Sequence, residues 1–581
     1  MNKIKTLTLA IAALSAVNSQ AFEFTAGPVE AQLNTTVSYG FGIRTEDPNK
    51  GLIHPGTLAD VYGGTVDDYK SIGANSYNAD DGTLNYEKND VFTNVLKGSM
   101  DLEMVWGNGG MFVRGSAFYD TAIMDEDPAF TPYIDETKDA AGSGYDLLDA
   151  FVWYNFDMGD TPVSARLGRQ VVSWGESTFI QGGINSINPV NASAARKPGV
   201  ELKEILLPVN MAYVSLGITD DVTLEAFYQL EWEKTRPDAC GTFFSTTDIA
   251  ADGCGPVLLG HTVGQAEYED KIETDSGFAI TKRTAPDDPS DDGQYGLALR
   301  WYSEALGDTE FGLYFMNIHS RLPSASIVVK SSTEFDSTYH IEYVEDIQIS
   351  GLSFSRGTES GWSIGGEVSL KQDFPINWNG NELIAAANAA AYGVLYQQKL
   401  AASSDGNIFG DAIEGFDKFD VWQAQMTFIK FFDQVAGASR LTFVSEVGAT
   451  YVQDLGDGIY GRSSAFGFGS DNAACADEND NTSYCTDEGF VEEFSAGVRV
   501  KAALAYSNAF FGANLQPNAS FGYDHGTGLQ FEDKRITTSL GVNFDYLNKY
   551  SGGISYVMYN GSDYDQLDDR DNISLNVKVS F

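Results

Sequence analysis

The chain is poor in histidine, cysteine, proline and positive charge. Of its 581 residues, 5 are His, 4 are Cys and 16 are Pro, and 36 Lys and Arg face 82 Asp and Glu. Each shortage closes a class of function. The histidines, His54, His261, His319, His340 and His525, stand far apart and offer no metal-ligand or triad spacing. One G-x-S-x-G match exists, "GWSIG" from Gly361 to Gly365. It sets Ser363 inside an alternating strand and not at the strand-to-helix elbow a nucleophile needs. No catalytic residue, cofactor or metal site is therefore expected. No C-x-x-C pair occurs, which argues against structural zinc. The formal net charge of −46 repels nucleic acid and anionic surfaces alike. The acid lies largely in runs such as "DDPSDD" (Asp287 to Asp292) and "DYDQLDDRD" (Asp563 to Asp571). They read as solvated segments, with calcium or magnesium binding as the alternative; no D-x-[DN]-x-[DN]-G loop supports the latter.

Long apolar runs are also missing. A membrane helix takes roughly 20 apolar residues, and the nearest internal stretch, Leu383 to Tyr396, is short and broken by Asn388 and Gly393. If the protein sits in a membrane, a closed β-barrel is the remaining solution, because lipid offers no partner to backbone polar groups.

What the chain does have is a leader and a period. Lys3 and Lys5 precede an apolar run from Leu7 to Val17, followed by Ser19-Gln20-Ala21. This is the pattern of a secretory signal, residues 1–21, with the mature chain starting at Phe22. The rest, 22–581, alternates with a period of two. Leu33, Thr35, Val37, Tyr39, Phe41 and Ile43 share one strand face, and Leu96, Met100, Leu102, Met104 and Trp106 share another, opposite Lys97, Ser99, Asp101 and Glu103. The same pattern fills 222–232, 362–370, 441–451, 496–506, 515–523 and 536–546, in runs of ~10 residues that match barrel strands. The chain closes on Ile573, Leu575, Val577, Val579 and Phe581, a strand that would pair with the first and present a terminal Phe to the outer-membrane assembly machinery. Short connections (107–110, 157–161, 219–221, 303–308, 433–439, 547–550) alternate with long ones (46–94, 121–144, 233–294, 453–493, 560–572), the layout of periplasmic turns and external loops. Cys240 with Cys254, and Cys475 with Cys485, fall in long loops and read as local disulfides.

The expected fold is thus all-β: a single transmembrane antiparallel barrel with an even strand number of about 14–20. Leu383–Gln397 and Tyr339–Phe354 are the ambiguous strand candidates. Aromatics near strand ends (Tyr39, Trp106, Tyr154, Trp232, Trp362, Trp422, Tyr506, Tyr546, Phe581) would form interfacial girdles. Arg166, Glu225, Arg300, Glu367, Lys371, Glu446, Arg499 and Lys501 lie on the polar register and would face the lumen, as a structural network or as ligand contacts. Localisation in a Gram-negative outer membrane, among its lipids and lipopolysaccharide, follows from these readings.

One segment breaks the period. Ser173 to Asn210 holds Pro189, Pro198 and Pro208 and three basic residues, Arg196, Lys197 and Lys203, followed by Ile205, Leu206 and Leu207. Such an insertion is expected to constrict the lumen or cap the mouth. The basic residues suit a carboxylate and the apolar ones a hydrocarbon body. An amphipathic acid of fatty, aromatic or steroid type is the expected solute, with a general porin or an adhesion or assembly component as alternatives.

"RLGRQVVSWGES", "GGINSINPVN", "RKPGVELKEILLPV", "LEAFYQLEW", "YGLALRW", "TEFGLYFMNIHSRLP" and "EYVEDIQISGLSF" resemble the proteobacterial outer-membrane family catalogued as domain of unknown function 1302. The resemblance spans most of the mature chain. It implies a β-barrel engaged in lipid or hydrophobic-compound traffic, with a LolA-like periplasmic lipoprotein as a partner. It brings no catalytic or ligand residues.

Overall fold

The computed structural model describes residues 22–259, 263–272, 279–331, 336–456, 458–470, 472–475 and 485–581. The expected signal peptide, 1–21, and His261 lie outside the described residues.

Eighteen antiparallel strands close into one barrel. In chain order they are β1 (Val29–Arg44), β2 (Val91–Trp106), β3 (Gly109–Asp120), β4 (Ser143–Met158), β5 (Thr161–Gln170), β6 (Val209–Thr219), β7 (Val222–Gln229), β8 (Tyr295–Ser303), β9 (Thr309–Ile318), β10 (Ile347–Gly357), β11 (Trp362–Asn377), β12 (Phe416–Asp433), β13 (Arg440–Val452), β14 (Phe494–Phe510), β15 (Ala513–His525), β16 (Ile536–Tyr546), β17 (Tyr550–Asn560) and β18 (Asn572–Ser580). Each pairs with its neighbours in sequence, and β18 closes on β1 from Thr36↔Ser580 to Arg44↔Asn572. Phe581 finishes the seam: its N–H donates to Thr35 O at 2.9 Å and its carbonyl accepts from Thr35 N at 2.6 Å. A short strand, Phe22–Ala26, folds back on β1.

Alternation produces the two faces. Leu96, Met100, Leu297, Leu313, Leu352, Val447, Leu540 and Ile554 are exposed on the outside. Their sequence neighbours Ser99, Ala298, Ser353 and Glu446 are buried within, as is Glu367. An apolar exterior around a polar interior is stable only where the exterior meets hydrocarbon. Trp106, Tyr154, Trp301, Trp422 and Tyr546 are exposed on that exterior. Tyr39 and Trp232 do not join them. Tyr39 is buried, its hydroxyl donating to Asn94 Oδ1 at 2.6 Å, and the Trp232 indole donates to Ser320 O at 3.1 Å in the loop region.

One barrel end carries tight turns, such as 107–108, 159–160, 511–512 and 547–549. Gly107 and Gly159 adopt φ of 54° and 69° there, a region L side chains rarely enter. The other end carries the long loops, and these fold together. Short strands Val257–Leu258, Ile280–Arg283, Ser324–Val328, Thr338–Glu342 and Ala412–Ile413 make a separate five-stranded sheet. It packs Ile327, Tyr339 and Ile341 against Trp378, Leu383 and Leu395. The strand candidate at Leu383–Gln397 is instead two helices, Gly380–Ala387 and Val394–Ala402. Asn379 caps the first, its side chain accepting from Asn381 N at 3.0 Å, and the alanine-rich run that follows favours helix. The candidate at Tyr339–Phe354 divides between the cap sheet and β10. Both disulfides, Cys240–Cys254 and Cys475–Cys485, are formed within these loops.

Candidate functional site: a segment bonded across the lumen

The 171–208 connection between β5 and β6 does not stay at the mouth. It runs inward and is fastened by two carboxylates of the wall. Glu446 on β13 accepts from the backbone N–H groups of Thr178 (2.8 Å), Phe179 (2.6 Å) and Ile180 (2.7 Å), and from the Thr427 hydroxyl at 3.0 Å. Glu367 on β11 accepts from Glu176 N (2.6 Å), Ile184 N (3.0 Å) and Gln425 Nε2 (2.9 Å). Turning donors toward a carboxylate satisfies both the loop backbone and the buried charge. The glycines of "SWGES" and "GGINS" follow from this. Gly175 has φ +88°, and a Cβ on it or on Gly183 would collide with the Glu367 carboxylate. Likewise Gly351 of β10 leaves room for the Ile184 side chain.

The opposite arm reaches the other wall. Pro198 lies over Gly40 of β1, and Gly199 over Asn576 of β18. Lys578 Nζ donates to Glu201 Oε1 at 3.0 Å, and Lys97 Nζ to Glu204 Oε2 at 2.7 Å. In strand order β10 and β11 lie half a circumference from β1 and β18, so the segment spans the lumen. Asn188 joins its two legs: its side-chain oxygen accepts from Val172 N at 3.0 Å and its amide donates to Leu207 O at 3.0 Å. The Trp174 indole donates to Glu225 Oε2 at 2.7 Å. Trp174, Ile184 and Ile187 join Met211, Tyr314, Met316 and Ile349 of the wall in one buried apolar cluster.

The six residues singled out within the segment do not converge on one cavity. Arg196 pairs with Asp238 at 3.4 Å, its guanidinium 4.7 Å from the Phe244 ring centre. Lys197 is buried, donates to Ala141 O at 2.8 Å and lies 3.4 Å over the Phe118 ring. Lys203 pairs with Asp101 (3.3 Å) and Glu201 (3.2 Å). Leu207 is buried, and Ile205 and Leu206 are half-buried.

The lumen charges form local networks, with exceptions. Arg300 bonds Glu225 at 3.1 Å and Glu310 at 3.0 Å. Arg499 pairs with Asp524. Arg166 lies 4.2 Å from the Tyr213 ring centre. Lys501 is exposed. Lys371, two residues beyond Ser369 on the face of Glu367, is 6% exposed. Among the described residues no ion pair or hydrogen bond engages its ammonium, which lies 4.9 Å from the Phe374 ring centre. Its cross-strand partners Ile349 and Val421 are both buried. They belong to the lumen cluster and the cap core respectively.

Sequence reasoning missed Trp174, Asn188 and the two glycine contacts. Their signal was present, because they make up the strings "SWGES" and "GGINSINPVN".

A closed barrel, apolar outside and bridged inside by a segment hydrogen-bonded to opposite walls, is a transmembrane β-barrel with an insertion in its lumen. The chain belongs to the family described as Protein of unknown function (DUF1302), matched over residues 3–581, as its motifs led one to expect. Among solved structures it is similar to OccAB2 of Acinetobacter baumannii (11% identity, 95% of this chain and 98% of that one, TM-score 0.39). It is also similar to OccK1 (OpdK) of Pseudomonas aeruginosa (9% identity, 95% and 98%, TM-score 0.40) and a BenF-like porin from Pseudomonas fluorescens Pf-5 (9%, 95% and 98%, TM-score 0.39). Likenesses this slight carry no argument about activity. No curated protein matches the chain.

Proposed function

We propose that the protein is an outer-membrane channel for an amphipathic acid, and that Lys371 receives the carboxylate. The observation that carries this reading is the buried Lys371 side chain between two apolar clusters, whose ammonium has no ion pair or hydrogen bond among the described residues and feels only the more distant Glu367 charge. A charge in an apolar surround without a direct partner is costly, and an incoming anion with an apolar body relieves that cost. Arg196, Lys197 and Lys203 belong to a weaker arm of the proposal, since each already holds a partner of its own. The bridging segment then acts as the constriction, and the apolar cluster beneath Lys371 as the surface along which the hydrocarbon part slides.

The outer-membrane lipids are the surroundings in this reading. The β18 seam is the element presented to the assembly machinery, and a periplasmic lipoprotein is the carrier on the turn side. The test is flux into proteoliposomes of a fatty or aromatic acid and of its neutral amide. Wild type should pass the acid faster, and Lys371→Met should abolish the difference while conducting small ions. Equal flux of both compounds through wild type overturns the acid preference. No flux of any solute overturns the channel and favours an adhesion or assembly role.

A further inference from the structure

Apart from the lumen, one acidic group in the cap is built in a way the channel does not require. Asp80 and Asp81 lie in the loop between β1 and β2, and Asp248 in the loop between β7 and β8. One carboxylate oxygen from each lies within 4.8 Å of the others. Asp80 is 0% exposed. Its Oδ2 accepts from His54 N at 3.1 Å, but its Oδ1 is buried with no hydrogen-bond donor among the described residues. The same holds for Asp248 Oδ1 and for Gln265 Oε1. Asp81 Oδ1 accepts from Thr131 Oγ1 (2.8 Å) and Gln265 Nε2 (3.1 Å). A cavity of about 240 Å³ adjoins, lined by Asp81, Asp248, Gln265, Glu269 and Tyr77.

When ionised, these carboxylates outnumber the buried cations beside them. The nearby buried cations are Arg44 and Arg570, and they share one carboxylate, Asp569. That leaves one surplus positive charge, which acts on Asp248 through Arg570. With Glu269 on the cavity wall, four carboxylates face that one surplus cation when all are ionised, and this excess of negative charge draws a divalent ion. The donors are all hard oxygens, without sulfur or imidazole in the set, which selects calcium or magnesium over zinc. Side chains from two separate loops, beside space for water, suit the larger and less regular shell of calcium.

We propose that Asp80, Asp81 and Asp248 hold a calcium ion that clamps the two loops of the cap, with Gln265 Oε1 and water completing its shell. Burial raises the carboxyl of Asp81 to about 6 and holds those of Asp80 and Asp248 well above the usual carboxylate range, so the competing state is a protonated cluster that needs no ion.

The experiment uses full-length mature protein refolded from inclusion bodies into detergent, free of lipopolysaccharide and stripped with chelator. Calcium is titrated calorimetrically, and limited proteolysis follows the 45–90 and 230–294 loops with and without it. The expected result is one saturable site per chain and loop cleavage that calcium suppresses. Asp80→Asn and Asp248→Asn should each weaken binding at least about tenfold. Asp288→Asn, in an exposed acidic run, should leave it unchanged. Heat-modifiable migration confirms that each variant is folded, and should Asp80→Asn fail that check, Asp248→Asn carries the comparison. Absence of saturable binding, or binding that survives in the folded Asp80 or Asp248 variants, overturns the proposal in favour of the protonated cluster.

Discussion

Removing the Glu446 carboxylate should release one arm of the lumen segment. Three backbone N–H groups converge on it at 2.6–2.8 Å, and Glu446 itself is 0% exposed. A hydrogen bond to a charged acceptor contributes about 1.5–3 kcal/mol, and a buried donor left without an acceptor costs a similar amount. Water entering the freed space recovers part of this. We therefore take on the order of 3–5 kcal/mol for Glu446→Ala. Every 1.4 kcal/mol is about a tenfold change in an equilibrium, so the detached arm should gain population by more than about a hundredfold. Glu446→Gln keeps the shape but turns an NH₂ toward N–H donors, and should fall between wild type and Ala. Single-channel recording in planar bilayers reads the result. Wild type should show a steady level, Glu446→Gln added flicker, and Glu446→Ala a larger mean conductance with frequent transitions. Strand pairing should survive, so the folded band on an unheated gel is the control. If folded Glu446→Ala conducts as wild type does, with the same noise, the carboxylate does not hold the constriction.

Other outcomes follow from the same contacts. Gly183→Ala should reproduce the wide, noisy channel, because its Cβ would displace the Glu367 carboxylate; unchanged recordings would show that Glu367 has another rotamer available. Reducing Cys240–Cys254 frees a short loop that the bond restrains by ~3 kcal/mol in the chain-entropy model, so cap proteolysis should accelerate while conductance through the strands' lumen persists. Burial first, then the Asp565 and Asp524 charges, raise Glu532 from 4.5 to about 7 despite Arg535. As pH rises from 4.5 to 7 the unfolded loop loses its proton before the folded one, so stability present at low pH is lost across that window. Cleavage in 526–535 should be faster at pH 8 than at pH 5, and Glu532→Gln should flatten the dependence.

The barrel was legible because lipid and water impose opposite demands on alternate residues, and a period of two survives any loop between strands. Leu352 and Ser353 illustrate it: one is exposed to the outside, the other buried within. The cap was not legible. Its strands are as short as Val257–Leu258 and Ala412–Ile413, too short to display a period, and its helix Gly380–Ala387 begins at the Asn379 cap inside a stretch equally apolar as helix or strand.

The lumen segment shows where sequence reasoning stops. Its position could be read from Pro189, Pro198 and Pro208 in a chain otherwise sparing of proline. Its attachments could not, because the carboxylate that holds Ile180 is 266 residues away. The same distance misdirects any search for a ligand. Within the segment Arg196, Lys197 and Lys203 stand out by type, but a basic residue is available to a ligand only if the fold leaves it without a partner. Asp238, Ala141 and Asp101 occupy those three, whereas Lys371, one charge among many on the polar register, has no ion pair or hydrogen bond among the described residues. Pairing is a property of the closed barrel, so the lysine that the proposed channel would use becomes visible only when strands distant in the chain are set side by side.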